Sequence, residues 1–222
     1  MSVSDAFVAN DPPEGSNEPH GIIYTIRQKV TNDNILSYVV PTAHDLGGGD
    51  VNSYVKWGDW CATTSTEGSY IQIEFKDSYV FPTFYSFKGN YDCWYIAKEW
   101  NLYGLVSLND EPELIATNTC IGSTYCTSIY GDGYCANDNW GTFAIHGATK
   151  AYRYFRIVSK VPAHSGSYRV NMRAFEIFGT YSKDGRGLNR PMRTVCHKSC
   201  QVARHIPLYL ALLFGLCLFL VK

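Results

Sequence analysis

The sequence has almost no net charge, no internal repeat and no familiar catalytic motif. Nineteen basic and 20 acidic residues leave a formal net charge of −1, which does not favour a nucleic-acid partner. No segment recurs, which excludes a solenoid or a propeller. The chain has no Gly-x-Ser-x-Gly nucleophile turn, no phosphate-binding loop and no histidines at metal-binding helix spacing. We therefore expect a protein that binds a ligand and is not an enzyme.

Two further absences concern the cellular compartment. Residues 1–20 have neither the basic start nor the apolar core of a secretory signal, so we expect a loose polar leader. The chain has no Asn-x-Ser/Thr glycosylation site, and Cys217, one of its eight cysteines, lies inside an apolar tail. These observations favour mostly free thiols in a reducing compartment over disulfides.

Aromatic residues are abundant, with 17 Tyr, 11 Phe and 5 Trp, and this composition favours β structure. Between residues 21 and 181, short strand-like runs alternate with clusters of Gly, Asn, Asp and Ser, and no window has a convincing helical pattern. The clearest strand is Tyr70–Phe75, where apolar and polar residues alternate. The other predicted strands are residues 22–26, 83–88, 100–107, 114–117, 141–147, 152–158 and 169–179. Many short strands separated by turns predict an all-β sandwich or barrel.

The C-terminal region changes character twice. Residues 182–205 carry six Lys or Arg residues against one acid, and residues 206–222 are apolar except for the last. As a helix the second segment spans about 25 Å, slightly less than a hydrocarbon core of about 30 Å. A buried C-terminal helix is disfavoured because the segment has no polar face. We expect a basic juxtamembrane linker, then a single transmembrane helix, with the β domain on the cytosolic side because basic flanks stay there.

Aromatic and amide side chains gather in three predicted loops, residues 43–68, 88–95 and 161–169. Such groups suit the faces and hydroxyls of sugars, or the side chains of a peptide. For the tryptophans a role as caps of the core is equally open. The candidate ligand-binding residues are Trp57, Asn90, Tyr91, Trp94, Tyr95, His164 and Tyr168.

The first of these loops also offers oxygen ligands for a metal ion. Asp45, Asp50 and Asn52 lie close together in sequence around a glycine run, Gly47–Gly49, whose carbonyls could assist. Oxygen ligands in a flexible loop suit Ca²⁺. Calcium is scarce in the cytosol, so we expect no obligatory cofactor and keep a calcium site as an alternative.

Five segments in order resemble the coagulation factor 5/8 type C, or discoidin-like, domain. They read "SYIQIEFKD", "FYSFKG", "KEWNLYG", "YRYFRIVS" and "AFEIFGTY", and the resemblance covers residues 21–181. It is closest to intracellular versions in single-celled eukaryotes. The resemblance implies an antiparallel jelly-roll β-sandwich of the galactose-binding-like type, with a binding surface formed by loops at one end. The end-clamping disulfide of secreted members is missing, because residues 1–60 contain no cysteine.

The predicted strand 152–158 places an arginine on both of its sides, Arg153 on one and Arg156 on the other. The resemblance implies that they lie at the edge of the sandwich, where we expect a structural ion pair with Glu176. Together these observations predict a non-catalytic, membrane-anchored binding module that recognises a protein or glycan. The alternative is a cell-surface glycan-binding adhesin that uses the tail as its membrane anchor.

Overall fold

The computed structural model describes residues 5–12, 20–31, 34–90, 95–120, 126, 128–130, 133–135 and 139–185, with only the backbone for 128–130 and 133–135. All of them belong to one compact unit, Met1–Asn189. The predicted transmembrane segment 206–222 and most of the predicted linker lie outside the described residues. Within the described part of the chain, no helix is both long enough and apolar enough to cross a membrane.

Two antiparallel sheets form the fold, which confirms the predicted all-β sandwich. The six-stranded sheet contains β1 (Ala6–Ala9), β3 (Leu46–Gly49), β4 (Cys61–Thr63), β6 (Tyr79–Gly89), β11 (Trp140–Ala144) and β13 (Asn171–Ser182). The five-stranded sheet contains β2 (Val39–His44), β5 (Tyr70–Phe75), β7 (Glu99–Leu105), β8 (Glu113–Thr119) and β12 (Tyr154–Ser159). A separate hairpin joins β9 (Ser128–Tyr130) to β10 (Gly133–Cys135).

Apart from residues 22–26, the predicted strands are confirmed, with ends shifted by a few residues. Strand β5 has the predicted bounds, and Ile71, Ile73 and Phe75 are fully buried while Glu74 is partly exposed. This alternation arises because β5 has one face on the core and one towards solvent. The predicted runs from residue 83 onwards correspond to β6, β7, β8, β11, β12 and β13.

An aromatic centre ties the two sheets together. Trp100 of β7 donates its indole N–H to the hydroxyl oxygen of Tyr85 in β6, with an N–O distance of 2.7 Å, and Asn118 Nδ2 donates to the same oxygen at 2.7 Å. Phe87 and Phe143 pack edge-on against the Trp100 ring, with centroid distances of 5.0 and 5.1 Å. Burial raises the pKa of Tyr85, so its hydroxyl stays neutral and satisfies two buried donors.

The predicted strand 22–26 is wrong, because this segment is the first turn and a half of helix α1 (Ile22–Lys29). Ile22, Ile23 and Ile26 are buried, a spacing that lies on one side of a helix. The expectation of a loose leader is wrong for Ala6–Ala9, which pairs with β13 as strand β1. The first predicted loop likewise contains β3, β4 and a short helix, α2 (Ser53–Lys56).

Glu176 of β13 is buried and closes the start of helix α1. Its carboxylate accepts backbone N–H groups of Ile23 at 2.8 Å, Tyr24 at 2.7 Å and Ile177 at 2.8 Å. A Cβ at Gly21 would lie 2.5 Å from the carboxylate, so the chain enters the helix through a glycine. Burial raises the pKa of Glu176 to about 8, against the opposing effect of these hydrogen bonds.

The predicted pairing of Arg153 or Arg156 with Glu176 is therefore wrong. Arg153 Nη2 lies 2.6 Å from Glu74 Oε1, and Arg156 donates from Nε and Nη2 to Gln72 Oε1 at 3.2 and 2.9 Å. Strand β12 begins at Tyr154, so Arg153 precedes the strand and its alternation. Both arginines bind partners on the outer face of the five-stranded sheet, whereas the Glu176 carboxylate accepts hydrogen bonds at the start of helix α1.

The expectation of mostly free thiols is wrong for one pair of cysteines. A disulfide joins Cys120, at the end of β8, to Cys126. Cys61 in β4 is a free and fully buried thiol, and burial raises its pKa. A disulfide is typical of an oxidising compartment, so this bridge bears on where the domain resides.

Candidate ligand-binding site

Three connections cross from one sheet to the other at the same end of the sandwich. The register shows why: Trp100 lies opposite Ser159 in one sheet, and Gly89 lies opposite Met172 in the other. Strands that meet at those residues therefore leave their sheets together. The connections are residues 64–69 between β4 and β5, 90–98 between β6 and β7, and 160–170 between β12 and β13. We call their described residues the loop end.

Backbone contacts hold the loop end together across long sequence separations. Tyr168 N donates to the carbonyl of Ser65 at 3.3 Å, and Lys160 N donates to the carbonyl of Glu99 at 2.9 Å. Gly166 has a φ of 77° and donates to a carbonyl three residues earlier, which makes a tight turn in the third connection. The side chains at this end are thus carried on connections anchored to both sheets.

The central side-chain contact of the loop end is a guanidinium stacked on a phenol ring. The Arg169 guanidinium carbon lies 4.7 Å from the centroid of the Tyr95 ring. Asn90 and Asn171 adjoin the paired residues Gly89 and Met172 at the same end of the sheet. Asn90 Nδ2 lies 3.4 Å from Asn171 Oδ1, which is a long and weak hydrogen bond. Asn171 is buried, whereas Asn90 is partly exposed. An aromatic ring, a cation and an exposed amide are groups that stack on a sugar ring and donate to its hydroxyls.

The loop end brings together four of the seven predicted ligand-binding residues. Asn90, Tyr95, His164 and Tyr168 all lie there and are all partly exposed. Tyr91 and Trp94 lie outside the described residues. Arg169 was not among the predicted ligand-binding residues, although it lies in the same predicted loop as His164 and Tyr168.

The structure places Trp57 in a different environment. The Trp57 ring packs against Tyr24 of α1 and Trp140 of β11, with centroid distances of 5.8 and 5.2 Å, and the Arg27 guanidinium lies 4.4 Å above it. The ring is partly exposed, and its indole N–H is buried without a hydrogen-bond partner. These contacts are those of a side chain that fastens helix α1 to the six-stranded sheet.

The three residues predicted to hold calcium have other partners. Asp45 Oδ2 lies 3.2 Å from His44 Nδ1 in the turn between β2 and β3. Asp50 Oδ1 accepts from the backbone N of Asn52 at 3.0 Å and from its side-chain nitrogen at 2.9 Å, which forms the turn into helix α2. Among the residues that the structure describes, no three His, Cys, Asp or Glu side chains form a group suited to a metal ion.

An open cleft of about 500 Å³ lies at the opposite end of the sandwich, between α1 and the start of β2. Its lining includes Lys29, Asn34 and Tyr38. The Lys29 ammonium lies 4.9 Å above the ring of Phe7, so this cation contributes to the packing of β1. We consider the loop end the better candidate, because there a stacked cation and amides converge from separate connections.

No protein-family model matches the chain, and no curated protein matches it in sequence. Among solved structures, the chain is similar to a family 32 carbohydrate-binding module from a family 31 glycoside hydrolase of Clostridium perfringens. The TM-score is 0.49 at 10% identity, over 64% of this chain and 92% of that one. It is also similar to the family 32 module of C. perfringens NanJ, solved in complex with galactose, with a TM-score of 0.46 at 10% identity over 66% and 95% of the two chains.

A third similar structure is a family 32 module of a C. perfringens family 89 glycoside hydrolase, in complex with GalNAc-β-1,3-galactose. Its TM-score is 0.47 at 12% identity, over 64% of this chain and 95% of that one. Likenesses of this degree transfer neither a ligand nor a residue role to the present chain.

Proposed function

We propose that this chain is a non-catalytic binding module that recognises a glycan through its loop end. The observation that carries the proposal is the stacked pair Tyr95–Arg169, which belongs to two connections and has Asn90 beside it. Sugar recognition needs an aromatic surface together with a few fixed donors and acceptors, and this combination is what the loop end offers.

A direct test is binding of the full chain to an array of neutral and acidic glycans, followed by titration calorimetry with the best ligands. Galactose and GalNAc-β-1,3-galactose, with which two of the similar modules were solved, belong among the probes. Tyr95→Ala should weaken binding about five- to thirtyfold, because loss of an aromatic platform removes on the order of 1–2 kcal/mol.

The matched control is Tyr103→Ala. Tyr103 lies on the outer face of the five-stranded sheet and is also partly exposed, and its hydroxyl accepts a hydrogen bond from Asn101 Nδ2 at 3.1 Å. We expect this variant to bind like the wild-type chain. Equal loss of affinity in both variants, or no glycan binding at all, would remove the loop end from consideration.

The proposed module is anchored to a membrane by residues 206–222, with the basic stretch 182–205 beside the lipid. Basic residues next to a span favour the cytosolic side for the β domain. The second candidate function is the cell-surface adhesin, and the observation that favours it is the Cys120–Cys126 disulfide, since such bridges persist outside the cytosol.

Orientation separates these two candidates. With an epitope at residue 1, protease added to intact cells destroys the epitope of an adhesin and spares that of a cytosolic module. Thiol alkylation before and after reduction of the same cell sample reports whether Cys120 is bridged. A protected epitope together with an alkylated Cys120 supports the cytosolic module, and the opposite pair of results supports the adhesin.

A further inference from the structure

Arg169 differs from every other arginine in the described part of the chain. Arg153 pairs with Glu74, Arg156 donates to Gln72, and Arg27 and Arg173 each have a further interaction with another residue. The side chain of Arg169 makes no hydrogen bond and no ion pair with any described residue, and its contact is the face of the Tyr95 ring. Among the described residues, no carboxylate pairs with the Arg169 guanidinium.

The state of its nitrogens shows where a partner can approach. Arg169 Nε is buried without an acceptor, whereas the two terminal nitrogens are not among the buried unpaired atoms and so reach the surface. A buried, unpaired N–H of a charged group is unfavourable, and the cost is reduced when an anion compensates the charge nearby. The contact with the Tyr95 ring already restrains the Arg169 side chain, so less side-chain entropy is lost when a ligand binds.

We propose that Arg169 makes the glycan site specific for acidic sugars, by receiving a sugar carboxylate on its two terminal nitrogens while the sugar ring lies beside Tyr95. This inference rests on the proposed function. The planar fork of an arginine matches a carboxylate with two parallel N–H···O bonds, and these charge-assisted bonds are about twice as strong as neutral ones. A neutral sugar offers only a hydroxyl at the same place.

The test compares sugars that differ only in the carboxylate. Calorimetric titration of the full chain with galacturonic acid against galactose, and glucuronic acid against glucose, measures the preference directly. We expect the acid to bind at least about tenfold more tightly at low salt, as one charge-assisted pair implies. The preference should fall towards unity at about 1 M NaCl, where charges on the surface are screened.

Three variants separate the local effect from general electrostatics. Arg169→Gln should abolish the preference, because it lowers the affinity for the acidic sugar far more than the affinity for the neutral one. Arg169→Lys should keep part of the preference, because lysine retains the charge without the fork. Arg156→Gln is the matched control. Arg156 also stacks on a tyrosine, 4.0 Å above Tyr70, but lies on the outer face of the five-stranded sheet. It should leave the preference intact.

Two results would overturn the inference: equal affinity of the wild-type chain for acid and neutral sugars, or an equal loss of preference in Arg156→Gln and Arg169→Gln. The thermal midpoint of each variant identifies folding defects, and Arg169→Lys keeps the test valid if the glutamine variant is unstable. If neutral sugars bind through Tyr95 but acids bind no better, only the acidic specificity fails. If no sugar of either kind binds, the proposed glycan function fails as well.

Discussion

The stability of this protein should fall as the pH rises from about 5 to 8, because of Glu176. Burial raises the pKa of its carboxyl from 4.5 to about 8. Below the unfolded pKa both states are protonated and the full stability is present. Between the two pKa values only the unfolded state releases the proton, so the free energy of unfolding decreases with pH.

The size of the effect follows from the shift. Each pH unit in this window removes up to about 1.4 kcal/mol, so the whole window removes at most about 5 kcal/mol, an order-of-magnitude figure. The three N–H groups that point at the carboxylate act in the opposite direction, because hydrogen bonds and a helix N-terminus both favour the charged form. Full burial decides the sign, since Glu176 has no measurable contact with water.

Glu176→Gln supplies the measurement. The neutral amide cannot ionise, but its NH₂ group faces the backbone N–H of Tyr24, so two donors meet and one hydrogen bond is lost. This loss costs about 1–3 kcal/mol. The variant should therefore be less stable than the wild-type chain at pH 5, and this deficit should shrink or reverse by pH 9. Urea unfolding of both full chains across this pH range, monitored by tryptophan fluorescence, gives the difference in their free energies of unfolding. The contributions of other titrating groups cancel in this difference. A deficit that grows with pH would show that the helix N–H groups outweigh burial and would refute the reasoning.

Two further predictions concern aromatic packing. Trp57→Ala should lower the free energy of unfolding by about 3 kcal/mol, because the ring packs between Tyr24 and Trp140. The same variant should leave glycan affinity unchanged. Normal stability with weakened binding in calorimetry would return Trp57 to the binding site. Trp100→Phe should cost about 1–3 kcal/mol in urea unfolding because a buried donor to Tyr85 is lost, and an unaltered midpoint would contradict the importance of that hydrogen bond.

The sequence predicted strands well where one face of a sheet meets the core and the other meets solvent. Alternation in β5 arises from that asymmetry, and it was visible without any knowledge of the partner strands. Strand β3 has no such signal, because three of its four residues are glycines and have no side chain to alternate. It is a strand because its backbone pairs with β4, and pairing between distant segments leaves no mark on local composition.

Helix α1 shows how a distant residue can decide local structure. Its first residues are rich in isoleucine and threonine, which favour strands, and its N-cap residue, Gly21, offers no side-chain cap. The cap is supplied by Glu176, 153 residues from Ile23 in the chain. The same glutamate looked like a partner for arginine in the sequence because it is acidic and lies in a strand near them. Charge identifies a residue that needs a partner, but only the fold selects which one.

The candidate site follows the same physical logic. Connections 90–98 and 160–170 overlap loops that composition predicted, whereas 64–69 is only the end of a longer predicted loop that contains β3, α2 and β4. The family resemblance implied that the binding loops share one end of a sandwich. What composition could not show is that Arg169 lies over the ring of Tyr95, 74 residues earlier, and pairs with no acid in the described part of the chain. An arginine paired with an acid would be a structural element, as Arg153 is. Arg169 instead lies over a ring and pairs with no carboxylate among the described residues, and this makes it a candidate specificity residue for an anion from outside.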